Sequence, residues 1–158
     1  MEEKEALSQL RFIEQELADV MEAVAGRVAD EDVRDGLYRI AEQHSQQAQE
    51  LNEVLEGIGG AEQQPSQPFR EHVEAVGRGV MHARDADGLF GGLADAERLD
   101  VELHEISLAE GFPAPAQALI GEQTGQDREH LDFLESRAPG ITSTVRGVES
   151  VPKRGTVE

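Results

Sequence analysis

An all-α fold is the class this sequence predicts, and three observations predict it. Apolar residues recur at three- and four-residue steps along most of the chain instead of alternating. Glycines and prolines punctuate those stretches at helix-length intervals. Two pairs of amphipathic segments flank a proline-containing stretch, the order expected of a four-helix bundle with one long crossover.

The elements follow in order. Leu7, Leu10, Ile13, Leu17, Val20, Met21 and Val24 mark a first helix that ends near Gly26. Asp30 and Asp32 offer N-caps for a second, whose buried stripe is Val33, Leu37, Ile40, His44, Ala48, Leu51, Leu55 and Ile58. It stops at Gly57 to Gly60, and residues 61–68, with two prolines and no apolar period, read as the crossover loop. Phe69, Val73, Val76, Val80 and Met81 predict an extra, short helix over residues 69–84. The run 85–92 is rich in glycine and reads as a break that leaves Leu89 and Phe90 exposed; a second copy of the chain would cover them, which predicts a homodimer. A further helix over 93–110 carries Leu93, Leu99, Val101, Leu103, Ile106 and Leu108. Pro115 opens the last helix, 115–137, along Leu119, Ile120, Leu131 and Leu134. Residues 1–138 thus form one helical domain, and 139–158, with no helical stripe, form an irregular C-terminal tail.

Charge and composition narrow the function. The chain of 158 residues holds 14 Lys+Arg against 33 Asp+Glu, a formal charge of −19, so it has no means of releasing counterions from nucleic acid. Cysteine is absent, which removes disulfides, thiolate metal sites and cysteine nucleophiles together. Any metal must be held by His, Asp and Glu. The N-terminal residues show no signal-peptide pattern and no run is apolar enough to span a bilayer, so a cytoplasmic protein without membrane contact is expected. No glycine elbow surrounds a serine and no phosphate-binding loop occurs; Gly57, Gly59 and Gly60 follow a helix and act as its stop.

Charged residues on core-facing stripes are the informative ones, because a buried charge is expensive unless paired or coordinated. Glu14 lies between Leu10, Ile13 and Leu17, whereas Glu16, roughly 200° round the helix, faces solvent. His44 occupies the second stripe. Glu97, Asp100 and His104 share one face of their helix, and Asp127 and His130 continue the stripe of Ile120 and Gln123. Taken singly, each is compatible with a hydrogen-bonded core residue or an ion pair. Four helices that each send an acid or imidazole inward are better reconciled by a divalent metal. His72 and His82 fall away from this centre.

The helix order, the crossover after the second helix and the His-bearing i, i+3 pair on the last helix resemble the ferritin-like superfamily. The stretches HSQQAQELNEVLEGIGG (44–60) and ERLDVELHEISL (97–108) are most similar to the small stress-associated ferritin-like proteins of the YciE/YciF type. The resemblance implies a di-iron carboxylate site, with manganese as the alternative metal, that meets oxygen or peroxide. It carries over Glu14, Glu97 and the Asp127–His130 pair as ligands, with Asp in place of Glu. On the second helix His44 matches, but Ala41 stands where a carboxylate is expected and Glu42 points elsewhere; Asp100 or His104 can substitute. The alternative is a metal-free helical module in which the same residues form a hydrogen-bonded polar layer.

Overall fold

The computed structural model describes residues 1–137, and its five helices are α1 (Glu3–Ala25), α2 (Glu31–Gly57), α3 (Gln67–Met81), α4 (Ala86–Ala109) and α5 (Ala116–Arg137). No β-strand occurs among the described residues. The tail expected over residues 139–158 lies outside them.

Local chemistry explains most of the boundaries. The Asp30 carboxylate accepts the Val33 N–H at 3.0 Å and starts α2. At the other end Gly59 takes φ +75°, a left-handed turn that glycine permits, and the Gly60 N–H returns to the Leu55 carbonyl at 2.7 Å. Arg11 of α1 then holds the loop that follows, donating to Asn52 Oδ1 at 2.6 Å and to the carbonyls of Ala61 and Gln63 at 3.1 and 2.6 Å. Ser66 caps α3 through the Phe69 N–H.

The glycine-rich run 85–92 is not a break. Asp85 accepts the Gly88 N–H at 2.7 Å, and α4 begins at Ala86, so the run supplies its first two turns. Glycine is placed there for close packing: a Cβ on Gly92 would lie 3.2 Å from Val80 Cγ2 of α3. Leu89 and Phe90 are fully buried within the chain, so the exposed apolar surface from which a homodimer was expected does not exist. Ile106 corrects the α4 stripe in the other direction, being 57% exposed. Glu16 is half-buried and not solvent-facing; its Oε2 occupies the space a Cβ on Gly77 of α3 would take.

Contacts set the arrangement. α1 pairs with α2 and α4 with α5, while α1 also touches α4 and α2 touches α5. Leu7 and Leu10 meet Leu51 and Leu55 at one end, and Val20 and Val24 meet Val33 and Leu37 at the other, so α1 and α2 are antiparallel. The Gln43–His130 and Gln123–Gln47 contacts make α2 and α5 antiparallel too, and Arg98–Glu135 with Arg128–Glu105 does the same for α4 and α5. Hence α2 and α4 run in the same direction, and the chain must travel back along the bundle between them. α3 makes that return on the outside, against α1 and α4.

Two apolar clusters close the ends. One gathers Val20, Met21, Val24, Leu37, Leu89, Phe90, Leu93 and Leu134; the other gathers Leu7, Leu10, Leu51, Leu55, Ala116 and Ile120. Between these two clusters, beside a smaller apolar cluster of Ile13, Leu17, Val73 and Ala96, each bundle helix carries at least one of the polar residues singled out above.

Candidate metal centre

All seven of those residues converge in the middle of the bundle. Glu14, His44, Glu97, Asp100, His104 and Asp127 have no exposed surface and His130 has 4%. His72 and His82 are exposed and take no part. Helical period explains the convergence: Glu14 follows Leu7 and Leu10 on the inward face of α1, and Glu97, Asp100 and His104 at i, i+3 and i+7 cannot be separated once α4 turns Leu93 inward.

His44 is the hub. Its Nδ1 lies 2.7 Å from Glu14 Oε1 and its Nε2 lies 2.9 Å from Glu97 Oε1, so one ring joins α1, α2 and α4. Asp100 Oδ2 and Asp127 Oδ1 stand 3.8 and 3.9 Å from the same Nδ1. The His130 ring meets His44 edge to face, centroids 4.8 Å apart, with Nδ1 at 3.5 Å from Asp127 Oδ1 and 3.6 Å from Glu97 Oε2. His104 Nδ1 is directed at the Asp100 backbone carbonyl at 3.0 Å, and Nε2 donates to Gln123 Oε1 at 3.1 Å.

The donor set is incompletely satisfied. Glu14 Oε2, Glu97 Oε2, both Asp100 oxygens, Asp127 Oδ2 and His130 Nδ1 are buried without a directed hydrogen bond, although His104 Nδ1 stands 3.0 Å from Asp100 Oδ1 and 3.4 Å from Asp127 Oδ2. Native proteins leave few such atoms, and a cluster of them on carboxylates and an imidazole could hold a cation. Two overlapping groups have ligand atoms within 4.8 Å of one another: His44, Glu97, Asp127 and His130, and Glu14, His44, Asp100 and Asp127. They share His44 and Asp127. Neither group has a carboxylate from α2, where Ala41 is buried among apolar neighbours and Glu42 is exposed; Asp100 of α4 joins the group of Glu14.

Electrostatics follow from burial and crowding. Desolvation, then the nearby charges of Asp100 and Asp127, push Glu14 well above the ordinary carboxylate range. Asp127 is pushed up to about 6, first by burial and then by Asp100. Burial alone would lower His44, but Glu97 and Glu14 on its two nitrogens outweigh it and hold the ring well above the usual imidazole value. Burial is likewise outweighed at His104 by Asp100 and at His130 by the nearby carboxylates of Asp127 and Glu97, so both are raised. Glu97 and Asp100 are lowered against the pull of burial, chiefly by His44 and by His104 respectively. Like-charged carboxylates this close cannot all ionise without added positive charge, which here is either protons on the rings or metal.

Three glutamines escaped the reading of charged residues. Gln47 and Gln123 are buried, and Gln43 is exposed but bonds His130 Nε2 at 2.5 Å. Gln47 was detectable as a polar member of the stripe Ile40, His44, Gln47 and Leu51. Gln43 lies off that stripe and carried no such signal.

Comparison with protein-family models, with curated proteins and with solved structures gave no match.

Proposed function

We propose that this chain is a ferritin-like di-metal carboxylate protein that binds iron, with manganese as the alternative, and takes part in handling iron and oxidative stress. One observation carries the reading: six buried donor atoms without hydrogen-bond partners, spread over two overlapping groups drawn from all four bundle helices. The antiparallel order of the bundle, with α3 returning the chain between α2 and α4, fits the same superfamily. Glu14, Asp100 and Asp127 would hold one ion and Glu97 and His130 the other, with Asp127 within reach of both and the single lone pair of neutral His44 serving one of them. Hard carboxylate oxygens with imidazole suit Fe(II) and Mn(II) better than softer ions. Iron held there would supply one-electron chemistry toward oxygen or peroxide. The protein's own part is to bring four carboxylates together, surround them with two apolar clusters that exclude water, and return protons from the raised rings and Asp127 as the cations enter.

A second reading is favoured by His44, whose two nitrogens already meet carboxylates at 2.7 and 2.9 Å. Protonated, that ring can tie Glu14 to Glu97 with no metal, as the hub of a polar layer. Elemental analysis separates the two. Protein made with iron supplied should carry about one to two equivalents and speed the oxidation of added Fe(II) in air. Iron, manganese and zinc all at background, with a melting temperature indifferent to each and to chelator, would select the metal-free layer.

A further inference from the structure

α2 lacks the carboxylate expected of it, yet it presents two amides, Gln43 and Gln47, one helical turn apart toward α5. Each meets one member of the Asp127–His130 pair. His130 Nε2 lies 2.5 Å from Gln43 Oε1, an oxygen that can only accept, so Nε2 carries the hydrogen. Nδ1, buried, without a hydrogen-bond partner and 3.5 to 3.6 Å from Asp127 and Glu97, is then the nitrogen facing the centre. Gln47 works in the opposite sense. Its Nε2 donates to Asp127 Oδ1 at 3.0 Å and to Gln126 Oε1 at 2.8 Å, and the ionised carboxylate, which only accepts, fixes which end of the amide is the donor. Asp127 Oδ2 has no hydrogen bond and lies 3.4 Å from His104 Nδ1.

Resting on the metal-binding reading above, we infer that Gln43 and Gln47 are positioning residues for the α5 ligand pair: Gln43, as acceptor, sets the His130 tautomer that presents Nδ1, and Gln47, as donor to Oδ1, holds the Asp127 carboxylate between the His44, His104 and His130 rings. Partners of this kind orient a ligand and tune its basicity without touching the metal. The opposite hydrogen-bonding senses make the inference sharp, because glutamate has nearly the size of glutamine but only accepts.

Co(II) is the probe, since its visible bands report ligand identity while its titration gives affinity. Gln43→Leu and Gln47→Leu should each weaken Co(II) binding by ~10- to 100-fold and alter the bands. Gln43→Glu should restore wild-type bands and affinity or exceed it, because a carboxylate acceptor makes the ring more basic. Gln47→Glu should not restore either, since it has no N–H to give Asp127. Both Leu variants binding with wild-type affinity and bands, or the two Glu variants behaving alike, would overturn the inference. A second measurement needs no metal. In metal-free protein with 15N-labelled histidine, taken to the pH at which His130 is neutral, wild type and Gln43→Glu should show hydrogen on Nε2, and Gln43→Leu a mixture of tautomers. Wild type that fails to bind Co(II) counts against the metal reading; an unchanged tautomer in Gln43→Leu counts against the positioning role, whatever the metal result.

Discussion

His44 of α2 and Glu97 of α4, 53 positions apart in the chain, meet at 2.9 Å with no exposed surface on either side chain. This contact joins the two halves of the bundle, because each half is a helical hairpin of its own and His44 is also bonded to Glu14 on the first. Removing His44 takes from both Glu14 and Glu97 their nearest counter-charge.

The first prediction concerns the ligands. Glu97→Ala and His130→Ala should reduce iron content from about one to two equivalents to background, while His72→Ala, an exposed histidine on α3, should leave it unchanged. Elemental analysis of each folded variant is the check, with helical circular dichroism to show folding.

Asp100 is expected to stand in for the carboxylate that Ala41 does not supply. Asp100→Ala should lose about one equivalent of metal, and adding Ala41→Glu to that variant should recover part of it, since position 41 is one turn from His44 on the same helix. Recovery in neither metal content nor affinity would show that the two positions are not interchangeable.

The metal-free protein should lose stability as pH rises from about 6 to 9. His44, His104 and His130 have raised values, so their contribution is complete below the ordinary imidazole range and disappears as pH climbs through the folded values. Glu14 and Asp127, the latter at about 6, also take up protons on folding and act in the same sense. Glu97 and Asp100 are lowered and act oppositely: their contribution is present above the ordinary carboxylate range and lost as pH falls through it. Metal affinity should rise over the same interval as the ligands shed protons. Melting temperatures between pH 5 and 9, with and without Mn(II), test this; a metal-free profile that is flat or rising above about pH 6 would contradict it.

With a formal charge of −19 the fold should gain from screening. Raising KCl from ~20 mM to ~1 M should raise the melting temperature, since exposed like charges repel most at long Debye length. A fall over that range would show that lost ion pairs outweigh relieved repulsion.

Phe90 tests the corrected start of α4. Because its ring is fully buried among Val24, Leu37 and Leu134 in the same apolar cluster, Phe90→Ala should destabilise the protein by about 3–5 kcal/mol in urea unfolding. A residue on an exposed break would change stability by only about 0.5 kcal/mol.

By itself the sequence determined the helices and which polar side chains face inward. Helical period is a local property: the steps from Leu10 to Glu14 and Leu17, or from Ile40 to His44 and Ala48, put those residues on one face whatever the helix packs against. Caps such as Asp30 and stops such as Gly59 and Gly60 are equally local. The glycine run before Leu93 misled for the same reason, because intrinsic propensity disfavours a helix there and the close approach of Val80 to Gly92, with the burial of Leu89 and Phe90, adds to the Asp85 cap in stabilising one. Tertiary structure alone decided that Glu16 is pressed against α3, that Asp100 joins Glu14 and His44, and that Gln43 and Gln47 grip the α5 pair. These relations link residues far apart in the chain, and no periodicity along one helix states which face of another it will meet. The direction and spacing of the packed helices do.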